Sequence, residues 1–509
     1  MRKGTVIDQK RFWPAVAAIV AAIILVSLNL DSIQKTVDHI YASCIDVFGW
    51  FYIVANIFAF GFAFFIAFGP YKSIRLGGVD AKPEYSTFAW VAMMFTTSCG
   101  AWLVVYGFLE PIYYVSAPPY QITPFSTQAY EYAELYAHYH WGLNVWSLYV
   151  PASIAIAYVV HNRKKSSVAM STACVPVLKK RSEGFLGCAV DVFSTFGAII
   201  SPVISLGTGM PVLLLLIQSC FGISEEYKTT LQIAILCIWV SIFSVSVYLG
   251  LQKGIKNLSN LNIVLALVFM LFVGLLVGPT QILETEINTI GLYVSNFVRM
   301  LTYTDPFGDS SFVKGWTVGY WAVYMTYMPL MGIFTARISK GRTLRELVFG
   351  QVVLCSLGCW FAMMTLGNYS LKLQLAGVDI AGVLSRSGEA AAVQVILEHM
   401  PFPKGMMFLV IVLCFIFLAT TIDSGAFVAA ETTICHASAD VLAPRWSRVF
   451  WATVACMICF VLLKIEGFKI IRIMAILTGF PLCFVLFIVI AASLKMMRED
   501  CKHKKETGR

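Results

Sequence analysis

Segments of roughly 20 predominantly apolar residues, the length a helix needs to cross a bilayer, recur along this chain from near its first residue to near its last. Twelve meet that test, at 12–30, 48–68, 87–115, 137–161, 187–221, 230–252, 258–280, 316–338, 343–367, 405–432, 447–465 and 470–494. Inside lipid a helix satisfies its own backbone, so the expected fold class is an all-α polytopic membrane protein with 12 transmembrane helices. Of the 509 residues 59% are hydrophobic and only 13% charged, where a soluble domain carries about a quarter charged. The mean hydropathy of +0.77 is spread over the whole length, which excludes a soluble domain with one anchor. Arg2, Lys3, Lys10 and Arg11 precede the first apolar run, as in a signal peptide, but the run from Phe12 to Leu30 holds no small-residue cleavage site and reads as a retained helix.

Between the seventh and eighth segments lies a weaker stretch, Glu284 to Leu301. Its apolar residues Ile287, Ile290, Val294 and Val298 recur at helical spacing beside polar ones, the pattern of an amphipathic helix lying at the membrane interface.

The net charge of +9 follows from topology and needs no nucleic-acid partner. Basic residues accumulate on the cytoplasmic side of membrane proteins. Alternate loops here hold 27 of the 37 lysines and arginines: the N-terminus, Lys72/Arg75/Lys82, Arg163 to Lys165 with Lys179 to Arg181, Lys253/Lys256, Arg337/Lys340/Arg342/Arg345, Arg445/Arg448, and the tail from Lys495 to Arg509. Both termini are expected in the cytoplasm and the chain in the cell membrane.

Most of the fourteen cysteines sit inside apolar runs, where a thiol behaves as a small hydrophobe. Cys456 and Cys459 form a CxxC without a histidine or acidic neighbour, which reads as packing rather than redox or metal chemistry. Ionisable groups within spans are expensive and are either functional or helix-packing devices. They are few: Glu110, His138, His140, Asp191 and Asp423. Glu110 and the two histidines lie near span ends, where interfacial or capping roles are expected; Asp191 and Asp423 read as hydrogen-bonding to neighbouring helices. No cluster of His, Asp or Cys has nucleophile or metal spacing, so an enzyme is not expected and no cofactor or metal is called for.

Aromatic residues cluster in two spans. HYHWGLNVWSLYV places Trp141, Trp146 and Tyr149 close together in the fourth, with Trp146 and Tyr149 on one side and Trp141 above; in the eighth, Trp321, Tyr324 and Tyr327 repeat every third residue, with Tyr320 adjacent. Such rings either mark membrane interfaces or wall a pocket. A ring face attracts a trimethylammonium group, which no hydrogen-bond donor satisfies, at about 0.5–2 kcal/mol per contact. Gly100 and Gly107 in the third span, Pro202, Gly207 and Gly209 in the fifth, and Pro329 and Gly332 in the eighth interrupt helices; helices broken near the midplane expose backbone groups to solute or ions.

In the eighth span, GWTVGYWAVYMTYMPLMGIFTARISKGRTLRELVFG resembles the signature of the betaine/carnitine/choline transporter (BCCT) family. FGPYKSIRLG, PEYSTFAWVAMMF, EPIYYVSAPP, YHWGLNVWSLY, GLQKGI and YTDPFGDSSFVKGWT extend the resemblance over nearly the whole chain, nearest to the carnitine/γ-butyrobetaine antiporter branch. The resemblance implies a leucine-transporter-like core of two inverted five-helix repeats preceded by two extra helices. The expected divisions are 1–86 for the tail and extra helices, 87–280 for the first repeat, 281–315 for the amphipathic helix and loop on the outer side, 316–494 for the second repeat, and 495–509 for a basic cytoplasmic tail. It also implies a homotrimer in a lipid bilayer. Trp141, Trp146, Tyr149 and Tyr114 match aromatics lining the family's solute path, Tyr324, Tyr327 and Trp321 complete the expected set, and Trp316 matches an outer tryptophan at a second, regulatory site. Where the family has two adjacent tryptophans, this chain has Val323 and Tyr324; Trp102 is a candidate for the lost ring. In the family's glycine-rich stretch only Gly100 is present.

For coupling, the resemblance gives two answers. Hydroxyl positions of one sodium site are Ala198 and Pro202 here, and Met331 matches a methionine of the sodium-independent antiporter; hydroxyls of the second site are kept as Thr420 and Thr421, and an arginine standing in for sodium in the antiporter is Asn262. The expected function is secondary transport of a small quaternary ammonium solute (carnitine, γ-butyrobetaine, betaine or choline), preferably by exchange. The alternatives are sodium-coupled symport, with Na+ as coupling ion, and a sensor built on a transporter scaffold.

Overall fold

The computed structural model of the chain describes residues 7–27, 31–249, 254–435, 442–464 and 468–507. The basic residues Arg2, Lys3, Lys253 and Arg509, and the last residues of the expected spans 12–30, 230–252 and 447–465, lie outside them. Among the described residues the chain is helical, with only two isolated β-bridges, Ile7 to Ile434 and Arg75 to Thr343. Twenty α-helices follow in order: α1 (Gln9–Ser27), α2 (Asp31–Phe68), α3 (Thr87–Cys99), α4 (Trp102–Ser116), α5 (Thr127–His140), α6 (Leu143–Ser147), α7 (Val150–Ala157), α8 (Met170–Leu178), α9 (Phe185–Phe221), α10 (Lys228–Leu249), α11 (Gly254–Val277), α12 (Pro279–Thr302), α13 (Gly319–Ile338), α14 (Leu344–Val348), α15 (Cys355–Ala362), α16 (Asn368–Leu375), α17 (Ile380–Glu398), α18 (Pro403–Thr432), α19 (Arg445–Lys464) and α20 (Phe468–Thr507).

Among the described residues, nine helical stretches are long and apolar enough to cross a membrane, or ten if the bent pair α3 and α4 is one span. α5 to α7 run as one such stretch, Thr127–Asn162, and α14 to α16 as another, Leu344–Leu375. Helices also form over the expected segments 12–30, 316–338 and 447–465, as α1, α13 and α19, which are not among those ten. For α13 the reason is its surroundings: every residue from Gly319 to Ile338 is buried, so protein rather than lipid solvates it and its tyrosines and threonines are tolerated. Conversely, Ile380–Glu398 is long and apolar enough, but Gly388 (φ 84°) breaks it into two pieces, each too short to span.

α13 lies at the centre, against α7, α9 and α20, and α18 runs along α9. Small residues allow these approaches: a Cβ on Gly332 of α13 would lie 2.5 Å from Ala152 Cβ, and one on Gly425 of α18 would lie 2.3 Å from Pro202 Cγ of α9. Buried polar groups tie further helices. Tyr52 donates to the Ile476 carbonyl at 2.9 Å. Asp191 accepts from the Ser171 amide at 2.8 Å and pairs with Arg11 Nε at 2.7 Å, and Asp423 accepts from Ser246. Arg337, near the end of α13, pairs with Glu431 of α18 inside the protein.

A helix, α12, forms over the stretch 284–301. Ile282, Thr289, Tyr293 and Met300 are buried, while Ile287, Ile290, Val294 and Val298 are exposed, Val294 to 74%. The apolar stripe read from the sequence therefore faces away from the protein.

Candidate functional site

Two helices break where they meet inside the bundle. α3 stops at Cys99 and α4 starts at Trp102, bent by 63°. Gly100 sits between them at φ +52°, where a Cβ would come within 2.1 Å of Ser205 Oγ from α9; only glycine allows the left-handed turn and the close approach together. α5 likewise stops at His140, and Trp141 and Gly142 bridge to α6. The first break sets the Trp102 ring, and the second the Trp141 ring, into one buried space.

There the rings meet α13. Trp102 packs edge-on against Trp141 at 5.4 Å between centroids, Tyr324 at 5.7 Å and Tyr320 at 5.8 Å. Tyr320 and Tyr324, one turn apart, stack at 5.6 Å with 17° between planes. Tyr149 closes the set at 6.2 Å from Tyr324 and 5.7 Å from Trp146. Tyr149 is held by Ser98, hydroxyl to hydroxyl at 3.0 Å, just before the α3 break. Three buried donors on these rings, Trp102 Nε1, Trp146 Nε1 and Tyr324 OH, have no hydrogen-bond partner in the protein. Buried donors are rarely left so, and three of them lie in this one cluster.

Glu110 stands behind the rings. Instead of capping a helix at an interface, as the sequence led us to expect, its carboxylate is fully buried. It accepts from Trp141 Nε1 at 2.5 Å, from Tyr320 OH at 2.5 Å and from Tyr114 OH. Tyr114 OH also contacts His140 Nδ1 at 2.6 Å, and His140 Nε2 lies 3.0 Å from Thr317 Oγ1. One negative group thus fixes the orientation of a ring from each of α4, the α5–α6 break and α13.

The expected residues do not all fall together. Trp141, Trp146, Tyr149 and Tyr324 share the cluster. Tyr114 lies beyond Glu110 and packs on Trp316 at 4.9 Å and Phe312 at 5.3 Å, so the ring wall continues toward Trp316, which itself stacks on Tyr320 at 6.1 Å. Trp321 points elsewhere, against Tyr139 and His140 at 5.7 and 5.8 Å. Tyr327 donates to the Ser201 carbonyl at 2.7 Å, one turn below Val323. Glu110 and Tyr320 join the cluster although neither is among the residues expected along the solute path; an acidic residue inside an apolar run and a Tyr pair at i, i+4 are their signals in the sequence.

The cation-coupling candidates gather near the α3 break, except for Met331, which is buried farther along α13. Thr421 Oγ1 donates to the Thr96 carbonyl at 3.3 Å and to Phe417 O at 3.0 Å, and it would lie 3.1 Å from a Cβ on Gly100. Thr420 donates to Phe417 O at 2.7 Å. Thr96 is linked to Ser259 of α11 at 2.8 Å; one turn on, Asn262 is buried with neither amide atom partnered, and Ser205 Oγ is also unpartnered.

Long apolar helices, two of them broken around a buried cluster of rings and donors, define a multi-pass membrane protein. A sequence profile described as betaine/carnitine/choline family transporter (BCCT) matches residues 10–502. The chain belongs to that family, whose members are transporters and not enzymes.

Proposed function

We propose that this chain is a secondary transporter of a small quaternary ammonium solute carrying a carboxylate, of the carnitine, γ-butyrobetaine or betaine kind. The observation that carries it is the pairing of ring faces with unpartnered donors. Trp102, Trp141, Tyr320 and Tyr324 offer faces to a trimethylammonium group, while Trp102 Nε1, Trp146 Nε1 and Tyr324 OH supply what a solute carboxylate accepts. Glu110 adds a negative charge on the ring side, which orients the cationic end. Trp102 supplies the ring absent at Val323. Tyr114 and Trp316 line a vestibule leading to the box, with Trp316 in a second, outer site.

Alternating access operates through the two five-helix repeats 87–280 and 316–494 within twelve spans, with 1–86 adding two helices and 281–315 and 495–509 peripheral to them. Both termini face the cytoplasm in the plasma membrane, and the assembly is a homotrimer. Exchange without sodium is the preferred mode, from Ala198, Pro202 and Met331 and the likeness to the carnitine/γ-butyrobetaine antiporter. Symport with sodium is the second reading, favoured by the unpartnered Asn262 amide and Ser205 hydroxyl beside Thr421; oxygen ligands suit a hard cation.

Purified protein in liposomes tests both. Labelled carnitine, γ-butyrobetaine, betaine and choline are offered with and without sodium and with and without internal solute. Uptake that requires internal solute and no ion gradient establishes exchange, and uptake that follows sodium establishes symport. If none of the four competes for uptake, the quaternary ammonium reading fails.

A further inference from the structure

A second buried polar cluster, away from the rings, joins α5 to α12. Glu134 and His138, one turn apart on α5, face Glu286 of α12, and one ligand atom from each lies within 4.8 Å of the other two. His138 Nδ1 lies 3.0 Å from the Glu134 carbonyl oxygen, an acceptor, so Nδ1 carries a proton. Nε2 faces Glu286 Oε2 at 3.2 Å, so either a second ring proton or a bound cation stands between the two.

Glu134 supplies an independent observation. Its side chain is 1% exposed, and neither carboxylate oxygen has a hydrogen-bond partner in the protein. Its one ion-pair contact among the described residues is His138 Nδ1, 3.5 Å from Oε1, and a buried carboxylate without a hydrogen bond is costly unless a proton or cation is bound. It borders a cavity of about 300 Å³, also lined by Glu131, Glu284 and Lys372. The Lys372 ammonium is held by the Leu276 and Val277 carbonyls, to which it donates at 3.1 and 2.8 Å.

We propose that Glu134, His138 and Glu286 form a divalent-cation site of the zinc class, filled from this cavity. One imidazole with two carboxylates is the donor set such ions take, at bonds of about 2.0–2.2 Å, so the side chains draw in by about 1 Å on binding. Two carboxylates balance the charge of one such ion. The Nδ1 proton held by a backbone carbonyl is the usual outer support of a metal-binding histidine. The ion clamps α12 to the end of α5 three residues before Trp141, a point already braced by Trp360 Nε1 donating to the His138 carbonyl at 2.8 Å. Transport involving movement of α5 against α12 is slowed when it is bound.

Equilibrium dialysis of detergent-purified protein against ZnCl2, with the metal counted per chain, tests the site without reference to any solute. One saturable equivalent is expected, and Zn2+ raises the melting temperature. Glu286→Gln and His138→Gln should each weaken binding by at least about tenfold, the lower end of what even outer-support changes cost at metal sites, while Glu131→Gln, in the same cavity, should leave it unchanged. Glu286 is 14% exposed, so its variant is a fair test of binding rather than folding; matching melting temperatures of metal-free wild type and Glu286→Gln check this. Absence of a stoichiometric equivalent, or binding equal in wild type, Glu286→Gln and His138→Gln, overturns the proposal.

Discussion

Glu110 shows how much one buried charge organises. It accepts from Trp141, Tyr320 and Tyr114, so it holds three rings and biases the box toward cations at once. A unit charge about 8 Å away at an effective dielectric near 20 is worth about 2 kcal/mol, roughly 30-fold in affinity. Glu110→Gln should therefore weaken choline by about that factor, and a zwitterion less, because its carboxylate feels the opposite effect; binding measured for both solutes on the same variant separates the two terms. Equal losses would make Glu110 a holder of rings only. Trp141→Leu removes a ring face and should cost about 2- to 30-fold in affinity for either solute with a small change in melting temperature; unchanged affinity would place Trp141 outside the site. The sequence made Trp141 legible because its ring lies in a dense aromatic run. Glu110 was not, since position near the end of an apolar run suggests an interface, and only the bend at Gly100 carries that half of the span into the bundle.

At the level of elements, the decisive events are breaks, and these are only partly written in the local sequence. Gly100 stood out as a glycine within an apolar run, but its need for glycine comes from Ser205 on α9, a hundred residues on. Gly100→Ala puts a non-glycine residue at φ 52°, ψ −164°, a backbone region open essentially to glycine alone, at about 1–3 kcal/mol, and adds a clash with Ser205 Oγ. It should lower the melting temperature by several degrees and abolish most transport. Ser205→Ala on that background removes the closest atom but leaves Ser205 Cβ at 3.3 Å, so it should recover part of the stability and none of the backbone cost. The break at Trp141 and Gly142 was harder to read: the regular helical projection that puts Trp146 and Tyr149 on one side assumes an unbroken helix, and the pair still meet, at 5.7 Å, because both follow the break. The segment 316–338 is expected to span from its apolar run, yet α13 is not among the ten helices apolar enough to cross on their own, and burial within protein frees it from lipid-grade hydropathy.

For the whole molecule, α12 presents an exposed apolar stripe to the outside. Its stripe of Ile287, Ile290, Val294 and Val298 was legible from spacing alone, yet spacing says only that one face is apolar, and the structure turns that face outward. An amphipathic helix places such a face on lipid headgroups or against another copy, and a threefold assembly would bury three stripes around one axis. The opposite face of α12 carries Tyr293, whose ring packs on Trp360 at 5.3 Å, so the helix is anchored to its own chain and cannot roll the stripe inward. Val294→Lys and Ile287→Lys together place two charges in the middle of that face without touching Tyr293. If the wild-type protein runs as a trimer by light scattering in mild detergent and the stripe holds it, the variant should run as a monomer while keeping solute binding at the ring cluster, since those rings all belong to one chain. A variant that assembles as the wild type does would instead assign the stripe to lipid. Loss of solute binding together with assembly would mean that the ring cluster depends on neighbouring copies.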